Sequence, residues 1–272
     1  MEAALISSPR ISWPGDAWTV VPRPNPHARL GLLCFPYAGA GTAAYQGWAE
    51  DLPPEIEVCL VRLPGRESRL SEEPYRRLSA LVPVLATALQ PYIDASAGRP
   101  FALFGHSMGA LIVFELARFL RRARCCEPIH LVVSGRPAPQ LPVAPDHVML
   151  QEMTEDQLIE RLRTLNGTPK LLLDNPELLR TFLPTLRADF SIVETYTYEV
   201  GEPLECGISA CGGVLDSDVP MEAVEAWRGQ TRGRFSSRLS PGDHFFLLQR
   251  DGRQDLLDHI VKDLHPFLAG EQ

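Results

Sequence analysis

The sequence predicts an α/β fold: a mostly parallel central sheet with helices on both faces, carrying one helical insertion. Three observations carry this. Short apolar runs recur at Leu30 to Phe35, Ile56 to Leu63, Phe101 to Gly105, Ile129 to Ser134 and Ile208 to Gly213, most of them followed by Gly- or Pro-containing loops and several by helical stretches. One run passes through Gly105-His106-Ser107-Met108-Gly109 straight into an apolar helix. Residues 136–207 show no strand-like alternation and read as inserted. With 272 residues, 45% hydrophobic and 22% charged, the chain is of ordinary globular composition and large enough for one core plus an insertion.

Taken in order, residues 1–28 hold five prolines and no clear periodicity, so an irregular N-terminal arm is expected there. The core is expected over 29–143 and 203–272. The helix after the glycine-flanked serine, Gly109 to Arg122, places Ile112, Leu116 and Phe119 at helical spacing, as packing against a sheet requires. Within the insertion, bounded at 144–202, Thr154-Glu155-Asp156-Gln157 is a capping box ahead of Leu158, Ile159 and Leu162. Further helical patterns run through Lys170 to Leu173 and Glu177 to Leu186. A helical layer at this place can act as a lid that shapes a channel and excludes water, or simply as a packed extension.

The formal net charge of −8 argues against a nucleic-acid binder, because no face-wide excess of Lys and Arg is available to neutralise phosphates. The N-terminal residues lack a basic stretch followed by an apolar run, and no segment is apolar for long enough to span a bilayer, so a cytoplasmic protein without membrane association is expected. Cys34, Cys59, Cys125, Cys126, Cys206 and Cys211 have neither zinc-site nor secreted-framework spacing and read as inert thiols.

The chemistry starts at Ser107. A serine at a sharp strand-to-helix turn, with glycines on either side and a helix N-terminus beneath it, is a nucleophile elbow, the signature of α/β hydrolases. There the acid and then the base follow the serine in chain order. His244, in Pro241-Gly242-Asp243-His244-Phe245, lies in a turn before the C-terminal helix and is the expected base. His259 and His265 fall on or near that helix, His106 sits inside the elbow, and His27, His130 and His147 precede any suitable acid. Asp216, in the loop after the apolar run ending at Gly213, is the leading acid, with Asp218 and Asp189 as alternatives. The oxyanion of the tetrahedral intermediate needs two backbone donors, expected from Met108 and from Ala38 in the small-residue loop Cys34-Phe35-Pro36-Tyr37-Ala38-Gly39-Ala40-Gly41. That loop lacks the Gly-Lys-Ser/Thr ending of a nucleotide-phosphate loop.

Across residues 29–266 the motifs Cys34-Phe35-Pro36-Tyr37-Ala38-Gly39, Leu63-Pro64-Gly65-Arg66-Glu67-Ser68-Arg69, Gly105-His106-Ser107-Met108-Gly109, Ser134-Gly135-Arg136-Pro137-Ala138-Pro139, Leu186-Arg187-Ala188-Asp189-Phe190 and Pro241-Gly242-Asp243-His244-Phe245 stand together. In them the chain resembles the type II thioesterases that accompany polyketide synthases and nonribosomal peptide synthetases, relatives of the stand-alone medium-chain fatty acyl thioesterase. The resemblance implies an α/β-hydrolase fold with a helical lid, a triad at Ser107, Asp216 and His244, and an oxyanion hole at Ala38 and Met108. It departs from the family at Leu215-Asp216, where Asp-Asp is frequent, and at Gly207, where proline is frequent; the first keeps Asp218 open as the acid. The activity implied is hydrolysis of acyl groups from the phosphopantetheine arm of acyl or peptidyl carrier proteins, an editing role, by a monomer that requires no metal or cofactor. The other readings are a chain-terminating medium-chain thioesterase, a general carboxylesterase, or a silent carrier-binding module. Carrier proteins are acidic, so Arg118, Arg121, Arg122 and Arg124, or Arg62, Arg66 and Arg69, are candidate docking patches, the alternative being a solvated helix end.

Overall fold

The computed structural model describes residues 15–95, 99–124, 127–142, 149–164, 167 and 173–269. Seven strands form one sheet: β1 (Thr19–Val20), β2 (Leu30–Phe35), β3 (Ile56–Val61), β4 (Phe101–His106), β5 (His130–Ser134), β6 (Gly207–Gly213) and β7 (Phe235–Ser240), in the order β1-β3-β2-β4-β5-β6-β7. All neighbours are parallel except β1 and β3. The helices are α1 (Trp48–Asp51), α2 (Leu78–Ala95), α3 (Met108–Arg122), α4 (Glu155–Thr164), α5 (Pro176–Glu194), α6 (Met221–Glu225) and α7 (Arg250–Ala269).

The central strands are mostly apolar because both faces are covered. Their side chains alternate between two cores. Leu33, Phe35, Cys59, Val61, Leu103 and Val133 pack with α2 and α3 on one face. Leu32, Cys34, Val58, Leu60, Phe104 and Val132 pack with Trp48 of α1 and with Leu256, Leu257, Ile260 and Leu264 of α7 on the other.

Two strands lie outside the apolar runs. Thr19–Val20 belong to the segment expected to be irregular, yet they pair antiparallel with β3, Thr19 opposite Val61 and Val20 opposite Leu60. Two residues have no periodicity to display; β3's open edge supplies the partner groups. β7 is an edge strand with polar positions at Ser236, Ser237, Arg238 and Ser240, so it lacks the apolar signal of the centre.

Between β5 and β6 lies the helical insertion. Its capping box forms as the sequence predicts: the Thr154 amide donates to Gln157 Oε1 at 2.9 Å and the Gln157 amide to Thr154 Oγ1 at 3.3 Å. Leu158 and Leu162 of α4 meet Leu179, Leu183 and Leu186 of α5 in a small core of their own. The helical pattern at Lys170 to Leu173 lies outside the described residues except for Leu173. Among the described residues, no helix is long and apolar enough to cross a membrane.

At the amino ends of β5, β6 and β7 a buried polar cluster ties α7 to the sheet. His130 Nε2 lies 2.6 Å from Ser209 Oγ, which donates to Asp263 Oδ2 at 2.6 Å. Ser236 also donates to Asp263 and lies 3.3 Å from His259 Nε2. Burial lowers the His130 pKa to about 4. Cys34, Cys59, Cys206 and Cys211 are free thiols whose pKa values burial raises, Cys206 to about 12, so none is a thiolate near neutral pH. Cys125, Cys126 and His147 lie outside the described residues.

Candidate active site

The carboxyl ends of β2, β4, β6 and β7 bring together the loops named from the sequence, where parallel sheets of this kind form their sites. At the end of β4 the chain turns within one residue. Ser107 has φ +53° and ψ −109°, a strained conformation for a residue with a Cβ, and Met108 begins α3 directly after it. The turn has room because the residues two positions before and after Ser107 are glycine. A Cβ on Gly105 would lie 2.1 Å from the Gly109 carbonyl oxygen, and one on Gly109 2.5 Å from that of Phe35. The Ser107 amide donates to the Ser134 carbonyl at 2.8 Å, fixing the elbow to β5.

Asp216 and His244 meet. His244 Nδ1 lies 2.6 Å from Asp216 Oδ2, with the carboxylate buried and the imidazole side chain 30% exposed. The two loops are laced together by backbone bonds: the Val214 amide donates to the Ser240 carbonyl at 3.0 Å and the Leu215 amide to that of Gly242 at 2.9 Å. The His244 ring sits beside the elbow, its centroid 5.1 Å from that of His106, the residue before Ser107. Phe245 packs edge-on against both His244 and Tyr37, at 4.9 and 5.2 Å between centroids.

The alternative acids have other places. Asp218 is exposed, and its amide donates to Asp216 Oδ1 at 3.1 Å, so it serves as a support for the Asp216 carboxylate. Asp189 is buried on α5, where it pairs with Arg66 at 2.8 Å and accepts the Gly39 amide at 2.7 Å. His106 is fully buried, its Nδ1 2.9 Å from Ser134 Oγ. Burial first, and the neighbouring His244 second, push its pKa well below the usual imidazole value, so it stays neutral.

Ala38 lies in a tight turn after β2, closed by the Ala40 amide donating to the Tyr37 carbonyl at 3.0 Å, with Gly39 at φ +78°. Ala38 and Met108 are carried by adjacent strands, β2 and β4. As the first residue of α3, Met108 has an amide with no acceptor one turn earlier in the helix. The Gly39 amide is already committed to Asp189.

Sequence reasoning did not foresee the Arg66–Asp189 pair, although both residues stand in motifs it singled out. The arginines offered as docking patches divide between structural braces and exposed charges. Arg118 pairs with Glu115 and donates to the Glu199 carbonyl, both at 2.7 Å. Arg121 donates to the Pro203 and Glu202 carbonyls, each at 2.6 Å. These two hold the segment leading into β6. Arg62 pairs with Glu67 and Arg69 with Glu72, whereas Arg122 and Arg124 are exposed.

A family model for the thioesterase domain matches residues 31–265. Over 254 residues the chain is 45% identical to the gramicidin S biosynthesis protein GrsT of Aneurinibacillus migulanus, an alignment covering 93% of this chain and 96% of that protein. Its structure is similar to that of RedJ, a thioesterase from the prodiginine biosynthetic pathway in Streptomyces coelicolor. That match has 40% identity and a TM-score of 0.81, covering 87% of this chain and 91% of the other. The type II thioesterase BorB from the borrelidin biosynthetic cluster matches at 36% identity with a TM-score of 0.80, covering 93% of this chain and 99% of its own.

Proposed function

The chain belongs to the thioesterase family, and we propose that it is a stand-alone type II enzyme that hydrolyses acyl thioesters from the phosphopantetheine arm of a carrier protein. The observation that carries this reading is the Asp216–His244 contact of 2.6 Å beside the strained Ser107 elbow. With Nδ1–H directed at Asp216, the neutral imidazole keeps Nε2 free as a base. Ser107 attacks the thioester carbonyl and gives its proton to His244, while the Ala38 and Met108 amides receive the oxyanion. The carbon–sulfur bond breaks, the pantetheine thiol leaves with that proton, and an acyl-serine remains. Water then gives a proton to His244 and attacks the acyl-serine; His244 returns a proton to Ser107 and the carboxylic acid departs.

The helical insertion over 144–202 is the lid in this reading, with residues 1–28 an arm and the remainder the hydrolase core. The enzyme acts as a cytoplasmic monomer on acyl or peptidyl carrier proteins and clears acyl groups that stall polyketide or nonribosomal peptide assembly. GrsT, RedJ and BorB, each named for a biosynthesis, pathway or cluster, support that role.

The test is single-turnover release of acetyl, propionyl, hexanoyl and decanoyl groups from a holo carrier protein by wild type and Ser107→Ala. Fast Ser107-dependent release of the short groups is expected. A decanoyl maximum would point instead to chain termination, and release that ignores Ser107 would overturn the mechanism.

A further inference from the structure

Three side chains on one face of α5 reach the loops after β2 and β3, the first of which carries Ala38. Thr185 and Asp189 are one helical turn apart, and Leu186 is three residues before Asp189, so all point the same way. Thr185 Oγ1 donates to the Gly65 carbonyl at 2.6 Å. Leu186 lies over Gly39, where a Cβ would stand 2.4 Å from Leu186 Cδ2. Asp189, 1% exposed, divides its carboxylate between two partners. Oδ2 accepts the Gly39 amide at 2.7 Å, and Oδ1 accepts from Arg66 Nη2 at 2.8 Å. Arg66, 4% exposed, donates in turn from Nη1 to the Ala40 carbonyl at 2.7 Å.

The turn that carries Ala38 is therefore gripped at an amide by a carboxylate and at a carbonyl by a guanidinium, and the two grips are bonded to each other. Just beyond it, Glu67 accepts the Thr42 amide at 2.6 Å and pairs with Arg62 at 2.9 Å. A cavity of about 90 Å³ opens beside these groups, with Phe182 and Leu186 of α5 on one side and Gly39 and Gly41 on the other. A ligand group entering it touches the insertion and the loop together.

We propose that Asp189 is a positioning residue that sets the oxyanion loop from the lid helix, so that the hole is formed only while α5 lies in this place. The inference rests on the thioesterase reading and deepens it. A buried ion pair alone is weak evidence for stability, since apolar residues of similar volume often hold two elements together as well. An apolar residue cannot accept the Gly39 amide, and that bond orients the peptide between Ala38 and Gly39. An oxyanion donor must be held to within about 0.5 Å, and losing one costs about 100- to 1000-fold in turnover.

Asp189→Ala alone would leave the Arg66 charge buried without its partner and can unfold the protein. The test is a pair of double variants that both remove the charges: Arg66→Leu with Asp189→Asn, which keeps a carbonyl oxygen to accept the Gly39 amide, and Arg66→Leu with Asp189→Leu, which does not. Acylation of Ser107 by p-nitrophenyl butyrate is followed as a p-nitrophenol burst, so the hole is read whether or not thioesters are the physiological substrate. The leucine pair is expected to acylate about 10-fold or more slowly than the asparagine pair, with KM within about twofold and equal melting temperatures. Equal burst rates in the two variants would overturn the proposal. A wild-type burst that survives Ser107→Ala would instead overturn the reading on which it rests.

Discussion

Two clusters of serine, histidine and aspartate occupy opposite ends of the same sheet. At the carboxyl ends, Asp216 and His244 meet at 2.6 Å beside Ser107. At the amino ends, His130, Ser209 and Asp263 form a chain of contacts each 2.6 Å long. The residue types match, and the surroundings do not. Ser209 lies within the regular backbone of β6, fully buried, with its hydrogen already donated to Asp263. Ser107 stands on a strained turn at a helix N-terminus, and His244 is reachable from solvent. The proposed catalytic set is thus set apart by a nucleophile on a strained turn and a base open to solvent. The buried set uses the same groups to satisfy one another, and by doing so fastens α7 to the sheet.

Removing the acid at each end separates the two clusters by the largest effect. Asp216→Asn should lower turnover by about 10⁴-fold with the fold intact, because His244 then loses the partner that sets its tautomer. Asp263→Ala should leave kcat within about twofold and instead cost ~1–3 kcal/mol of unfolding free energy, through hydroxyls left unsatisfied. A large kcat loss from Asp263→Ala would show that the clusters are functionally joined.

A pH series sharpens the contrast. The His130 pKa is lowered from 6.5 to about 4 by burial, opposed by Asp263 and assisted by His259 and Arg234. The unfolded chain therefore binds a proton that the folded one refuses. Stability is complete above about pH 6.5 and is lost as pH falls through about 4, by about 3 kcal/mol for this group. His130→Gln should flatten that limb in urea titrations; an unchanged limb would assign the acid sensitivity elsewhere. Asp263 titrates lower still: burial pushes its pKa up, but hydrogen bonds from Ser209 and Ser236, with the nearby His259 and His130, hold it below the usual carboxylate value.

Smaller effects test the edges of the site. Asp218→Asn should change kcat by less than about threefold, because only the backbone amide of Asp218 supports Asp216. A loss near that of Asp216→Asn would reassign the acid. Arg122→Glu, on the exposed end of α3, should raise KM for a carrier-bound acyl group by about two- to fivefold and leave a small thioester unaffected, consistent with a rim charge. Equal KM changes for both substrates would remove this patch from docking.

Much of the molecule was legible without coordinates. The five central strands are mostly apolar because they are buried on both faces, and the elbow announces itself because a Cβ at 105 or 109 would meet backbone at under 3 Å. Thr154 and Gln157 marked the start of α4 through a reciprocal hydrogen bond that depends on neighbouring residues only. The edge strands escaped notice for the opposite reason. β1 is two residues long and β7 is half polar, so neither carries a local pattern, and each exists because an open sheet edge was available to it.

Chain order and local spacing pointed, from the sequence alone, to the fold class, the candidate nucleophile, the candidate base and the loop bearing Ala38. They left three aspartates open as the acid. Only the tertiary path of the chain separated them, setting Asp216 against His244, leaving Asp218 in solvent, and burying Asp189 against Arg66, 123 residues away. It likewise turned Arg118 and Arg121 from candidate surface charges into braces for the approach to β6. The physical reason is common to all of these. Periodicity and capping arise from interactions within a turn or two of the chain, whereas the work of a charged side chain is decided by whichever distant backbone or counter-charge the fold carries to within about 3 Å of it.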